Sequence, residues 1–223
     1  MKLSLLFLLL FQFSCRNTPE QAISFKTEWP KNINPSYFKT MLDLRKDLLL
    51  VLNLSDISTG VDSFELRFGY NGIFVGQDLF VIKFQNNKWQ GFHYYYEQKS
   101  SLSNSEEDLN YASKLTDLRD TFSIQKPFNP LITWNNLIDS ISHTEILNIP
   151  SQGDLKGYRN RIADGYEFWL EYSTKHKFKY IRYENPDRYK EFKESKIVLD
   201  FIDMFNRNIR SEDICWPRCI AKK

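Results

Sequence analysis

The stretch FELRFGYNGIFVGQDLFVIKFQNNKWQGFHYYYE, from Phe64 to Glu97, decides the fold. Phe64, Leu66, Phe68 and Tyr70 alternate with Glu65, Arg67 and Gly69. A period of two puts one set on each side of a strand. Asn71-Gly72 follows, a dipeptide that favours tight turns. Leu79 to Phe84 reads as a second strand, Asn86-Asn87 as a second turn, and Trp89 to Glu97 as a third strand. The pattern predicts a three-stranded antiparallel meander.

Working outward, the alternation returns at Tyr166, Phe168, Leu170 and Tyr172, against Glu167, Trp169 and Glu171. A turn around Lys175-His176 leads to a partner strand over Lys177 to Tyr183, which Asn185-Pro186 breaks. Helical periods lie elsewhere. Ser36 is a candidate cap for a helix through Tyr37, Met41, Leu44 and Leu48, and Leu48 to Leu54 reads equally as helix end or buried strand. Thr133 resembles an N-cap for a helix carrying Trp134, Leu137, Ile138 and Ile141. Val198, Phe201, Ile202, Phe205 and Ile209 make the apolar face of a closing helix over Ser195 to Ile209. Lys99 to Asn110 reads as a surface loop, Leu109 to Leu118 as weakly helical, and Pro150 to Gly165 as a loop. Hairpins and helices in separate groups predict an α+β fold, an antiparallel sheet with helices packed on one face.

The chain opens with Met1-Lys2, an apolar run from Leu3 to Phe11, and Ser14-Cys15. Charge, apolar stretch and a small residue before cysteine make a bacterial export signal. It resembles a lipoprotein signal, although Gln12 and Phe13 depart from the usual residues there. The resemblance implies removal of 1–14 and a lipid on Cys15, with acyl chains such as palmitate. Each buried CH₂ then contributes about 0.8 kcal/mol of anchoring. An ordinary cleaved signal lacks its A-x-A triplet here, and Arg16 ends the run short of the roughly 20 residues that a span needs. Expected organisation is a signal over 1–14, a lipid-anchored tether over 15–34 that turns into structure near Phe25 and Trp29, and one globular domain over 35–223.

The 30 basic residues against 28 acidic ones are dispersed, so no basic face for nucleic acid is expected. Eighteen Phe and twelve Tyr among 223 residues argue for an aromatic-rich packed core rather than a disordered stalk. With Cys15 assigned to lipid, Cys215 and Cys219 remain as a pair spaced C-W-P-R-C. A small-loop disulfide fits an oxidising compartment, and two free thiols are the alternative. Without a nearby His they make a poor zinc site.

From Trp134 the chain carries W-x-x-L-I-D-S, I-L-N-I-P-S-Q, A-D-G-Y-E-F-W-L-E, Y-E-N-P and E-S-K, beside L-R-F-G-Y and the Asn-Asn hairpin. Over roughly residues 60–205 this resembles a family of exported lipoproteins of Gram-negative bacteria with no assigned activity. The resemblance implies export and a coherent fold, and carries no functional residue.

His93, His143 and His176 are the only histidines, and neither H-E-x-x-H nor H-x-H spacing links them. No metal site and no cofactor are expected. There is no G-x-S-x-G and no glycine-rich phosphate loop. Glu167 and Glu171 flank Trp169 on one strand face, an arrangement that paired-carboxylate hydrolases use. They stand about 13 Å apart along the backbone, and a solvent-facing charged row is the simpler expectation. Trp89, His93 and Tyr95 share one face of the third strand, and Phe92, Tyr94 and Tyr96 the other. If one row packs the core, the other is a candidate surface for a protein or glycan partner.

The expected function is a non-enzymatic binding lipoprotein of the cell envelope, facing the periplasm or the outside. The alternatives are a hydrolase of envelope polymers drawing on Glu167, Glu171 or Glu97, and a lipoprotein that neutralises a toxin or enzyme. Cys15→Ala should abolish radiolabelled palmitate incorporation and release the protein from membranes or leave its precursor uncut, while the domain still folds. Unchanged labelling would return the signal to ordinary secretion.

Overall fold

The computed structural model describes residues 24–72, 77–98, 121–159 and 165–209. Cys15, Cys215, Cys219 and the expected loop and weak helix between 99 and 118 lie outside the described residues. Among the described residues seven strands form one sheet: β1 (Lys26–Glu28), β2 (Phe64–Gly72), β3 (Gln77–Gln85), β4 (Lys88–Gln98), β5 (Thr121–Phe128), β6 (Tyr166–Thr174) and β7 (Lys177–Glu184). Their order is β1-β7-β6-β2-β3-β4-β5, antiparallel throughout except for the short parallel pairing of β1 with β7. The described α-helices are α1 (Pro35–Val51), α2 (Trp134–His143) and α3 (Lys193–Asn208). The fold is α+β. Among the described residues no helix is long and apolar enough to cross a membrane.

The meander follows its alternation. Asn86 and Asn87 take positive φ, 53° and 59°, as a two-residue hairpin turn requires. Asn71-Gly72 makes no such turn: both residues continue β2 and pair with Glu167 and Tyr166 of β6. A second neighbour supplies hydrogen bonds that hold them extended, and tertiary pairing overrides the turn propensity of the dipeptide. β5 extends the meander to four strands. Pro127, which cannot donate a ladder hydrogen bond, is tolerated because β5 is an edge strand.

Thr133 caps α2, its Oγ1 accepting from the Asn136 N–H at 3.2 Å. The cap of α1 is Asn34 rather than Ser36. Its Oδ1 accepts from the N–H groups of Ser36 and Tyr37 at 2.9 and 3.2 Å, and Pro35 stands at the first helical position. Leu48 to Val51 belong to the end of α1, not to a strand. The expected tether joins the fold before its end: Lys26 to Glu28 add β1 to the sheet, and Asp154 accepts from the N–H groups of Lys31 and Asn32.

Helices cover both faces of the sheet, where one covered face was expected. On one side Leu66, Phe68, Phe80, Ile82, Phe168, Leu170 and Ile181 pack against Leu137 and Ile141 of α2 and Val198, Phe201, Ile202 and Phe205 of α3. On the other, Leu79, Val81, Tyr94, Tyr96, Trp169, Phe178 and Tyr180 face Met41 and the partly buried side of α1. β3 and β4 carry apolar or aromatic residues on both sides, as strands of a sheet buried on two sides do, whereas β2 turns Glu65, Arg67 and Gly69 toward α1, where the charges are ion-paired.

The two layers differ in closeness. α3 buries Ser195, Val198, Phe201, Ile202, Met204 and Phe205, whereas α1 fully buries only Met41 and Leu49. Phe205 stands edge-on to Phe68 and Phe80, with centroids at 4.6 and 5.0 Å. Phe205→Ala should cost about 3–5 kcal/mol through lost burial and the cavity left behind. A lower urea midpoint at unchanged m-value would show it.

Candidate functional site

Period-two alternation sends Glu167, Trp169 and Glu171 of β6 toward α1, together with Glu65 and Arg67 of β2 and Tyr180 and Arg182 of β7. Cross-strand register places Arg67 beside Glu171 and Glu171 beside Tyr180. α1 supplies Tyr37, Thr40, Met41, Leu44, Arg45 and Leu48 at helical spacing above them. A cavity of about 310 Å³ remains between helix and sheet, walled mainly by aromatic and aliphatic side chains. That is near the low end of ligand-pocket sizes, roughly 300–1,000 Å³.

Its polar floor is a chain of ion pairs. Glu171, 1 % exposed, accepts from Arg45 Nε at 2.6 Å on one carboxylate oxygen and from Arg67 Nη1 at 3.3 Å on the other. Arg67, also 1 % exposed, donates further to Glu65 at 2.7 Å and to the Ser55 carbonyl at 2.8 Å. Arg45 continues to Asp56 at 2.9 Å, and its guanidinium lies 5.8 Å from the Trp29 ring and 5.7 Å from Phe178. Burial works against the Arg45 charge, but Glu171 and Asp56 outweigh it and raise the pKa. For Asp56, burial pushes the pKa up, while the Ser58 N–H and Arg45 pull it below the ordinary value.

Beside this chain, Glu167 accepts from Arg182 Nη2 at 2.6 Å, and Arg182 also pairs with Glu184. The Arg182 guanidinium stands 4.5 Å from the centroid of Tyr37. Burial raises the pKa of Tyr37, Tyr96 and Tyr180, and in each case the charge of Glu167 raises it further.

Gly69 makes the arrangement possible. A Cβ there would come within 2.6 Å of the Trp169 ring, which lies flat across the glycine to form part of the cavity wall. Trp169 in turn stacks on Tyr180 with centroids 6.3 Å apart.

The structure puts the sequence candidates in different places. Glu167 and Glu171 are not a solvent-facing row: they lie beneath α1, and both are engaged by arginine. The side chain of Glu97 lies outside the described set. The row Trp89, His93, Tyr95 is covered at its centre. His93 is buried, stacks on Phe80 at 4.6 Å, and its Nε2 lies 2.6 Å from Asp78 Oδ1. Gly91 between them is roofed by Phe128 and Trp134, so α2 and the end of β5 lie over the strip. Trp89, against Phe64 and Phe84, and Tyr95 are half-buried. His143 and His176 are exposed, and no group of three or more His, Cys, Asp or Glu among the described residues can hold a metal ion. The residues that sequence reading missed are Arg45 and Arg67. A charged residue in an alternating strand reads as outward-facing, and nothing local shows that a helix closes over it.

No protein-family model matches the chain, and neither a curated protein nor a solved structure matches it.

Arg67→Ala would leave Glu65 and the buried Glu171 short of a partner. It should cost about 3–5 kcal/mol, as removal of one partner from a buried pair does. Denaturant unfolding would read the loss. A loss below about 1 kcal/mol, the range of surface pairs, would mean that the floor is wet and loosely held.

Proposed function

We propose that this chain is a binding module tethered to the cell envelope. In this reading a lipid on Cys15 holds the domain at a membrane surface, and the cavity between α1 and the sheet receives a small ligand. The observation that carries the binding half is that cavity, about 310 Å³ with aromatic and aliphatic walls, under a helix that fully buries only two of its residues. A helix that buries few of its side chains against the sheet leaves space that a ligand can enter without displacing a close-packed contact. The membrane half rests on the signal-like N-terminus and on the resemblance to exported lipoproteins.

Binding is favoured over hydrolysis by how the acids are held. Glu167 and Glu171 are committed to guanidinium groups, whereas a glycosidase needs one carboxyl to donate a proton and the other to attack or activate water. A protein or glycan partner is left with the half-buried ends of the β4 row, Trp89 and Tyr95.

An apolar fluorescent probe such as N-phenyl-1-naphthylamine tests the cavity. It should bind the mature protein with micromolar affinity. Leu44→Trp, which fills the space from the helix side, should weaken that binding about tenfold, equivalent to roughly 1.4 kcal/mol, with little change in melting temperature. Absent probe binding, or binding indifferent to Leu44→Trp, would rule the cavity out as the site.

A further inference from the structure

The cavity has a chemical character beyond its size. Tyr37 of α1, Tyr96 of β4, Trp169 of β6 and Tyr180 of β7 all line it, so four aromatic rings come from four different elements. Glu167 lines it too, and the guanidinium that answers Glu167 is shared with Glu184. In the neighbouring ion chain, three carboxylates, Glu65, Glu171 and Asp56, face two guanidiniums, Arg45 and Arg67. Lys83 stands apart from the cavity lining, over Phe92 with its Nζ 5.1 Å from the ring. Of the charged side chains that line the cavity, Arg45 and Arg67 match Glu167 and Glu171 in number. Arg182, the partner of Glu167, lies outside the lining and is shared with Glu184, so the negative end of the floor is at Glu167, beneath the aromatic walls. Ring faces attract cations through their quadrupole, most strongly where water is excluded. This side of the sheet already uses that chemistry three times: Arg182 sits over Tyr37, Arg45 over Trp29 and Phe178, and Lys83 over Phe92.

We propose that the cavity between α1 and the sheet is a receptor site for an organic ammonium ion on an apolar body, with Glu167 as counter-charge and Tyr37, Tyr96, Trp169 and Tyr180 as aromatic walls. This rests on the binding-module reading and adds the sign of the ligand's charge. An alkylated ammonium suits the site better than a metal cation, because the walls offer ring faces rather than a shell of oxygens. A carboxylate ligand meets repulsion from Glu167, and the guanidiniums that might receive it already serve Glu171, Glu65 and Asp56. Burial, and after it the charge of Glu167, raises the pKa of Tyr37, Tyr96 and Tyr180, in keeping with the placement of Glu167 among these rings.

Three ligands of one chain length separate the possibilities: decyltrimethylammonium, decanol and decanoate, each below its micellar concentration, titrated into the mature protein and followed by tryptophan fluorescence and calorimetry. The ammonium should bind about tenfold tighter than decanol, the worth of one good cation–π and charge contact, and decanoate should bind weakest. Glu167→Gln should remove most of the advantage of the ammonium over decanol. Tyr37, 41 % exposed at the cavity, can be changed without touching the core. Tyr37→Leu should lower ammonium affinity severalfold while decanol binding holds, which keeps the test decisive if Glu167→Gln is poorly folded. Decanoate binding tighter than the ammonium, equal affinity for ammonium and decanol, or indifference of ammonium binding to both substitutions would overturn the charge assignment and leave the binding-module reading standing. No binding of any of the three would overturn both.

Discussion

Glu171 holds two layers of the protein together. One of its carboxylate oxygens receives Arg45 from α1 and the other receives Arg67 from the neighbouring strand. Ion pairs taken out of water are expensive, and a buried network of this kind adds little net stability compared with a well-packed apolar one. Its effect is placement. The helix cannot slide along the sheet without parting Arg45 from Glu171 and Asp56, and a carboxylate stranded in the interior is costly. That one constraint sets where α1 lies, and so the shape of the space beneath it.

The two faces of the sheet divide the work. The α2–α3 face is an aromatic core in which Phe68, Phe80, Phe128, Phe201 and Phe205 meet edge to face and stacked, and the larger of the two buried apolar clusters lies there. The α1 face is built from longer polar side chains between aromatic rings, and it leaves a void. A face freed from carrying stability can accommodate a ligand, because close packing there would close the site. Gly69 shows how finely the void is shaped: without a side chain at that position, Trp169 lies flat and forms wall instead of filling space.

The proposed role follows from the same division. A rigid sheet anchors the aromatic walls and the Glu167–Arg182 pair, while the helix that fully buries only Met41 and Leu49 roofs them. Recognition then depends on ring faces and a counter-charge, neither of which demands motion of the core.

Much of the fold was legible in the chain itself. Strict alternation in 64–70 and 166–172, the Asn86-Asn87 turn, the Thr133 cap and the three- and four-residue spacing of Val198, Phe201, Ile202 and Phe205 are local signals, and local hydrogen bonds and side-chain periodicity decided them. The tertiary structure alone decided what those signals left open. Asn71-Gly72 stayed extended because β6 pairs with it, and β5 with its Pro127 survived because it lies at an edge. The candidate site was legible only as types: Glu167, Glu171 and Trp169 stood out, but their role did not. Period two states which residues share a face and says nothing of what covers it. Arg67 reads as a surface charge until α1, some twenty residues earlier in the chain, brings Arg45 down onto the same carboxylate. Contacts between elements distant in sequence set burial, and burial is what turns a charged strand residue into the floor of a cavity.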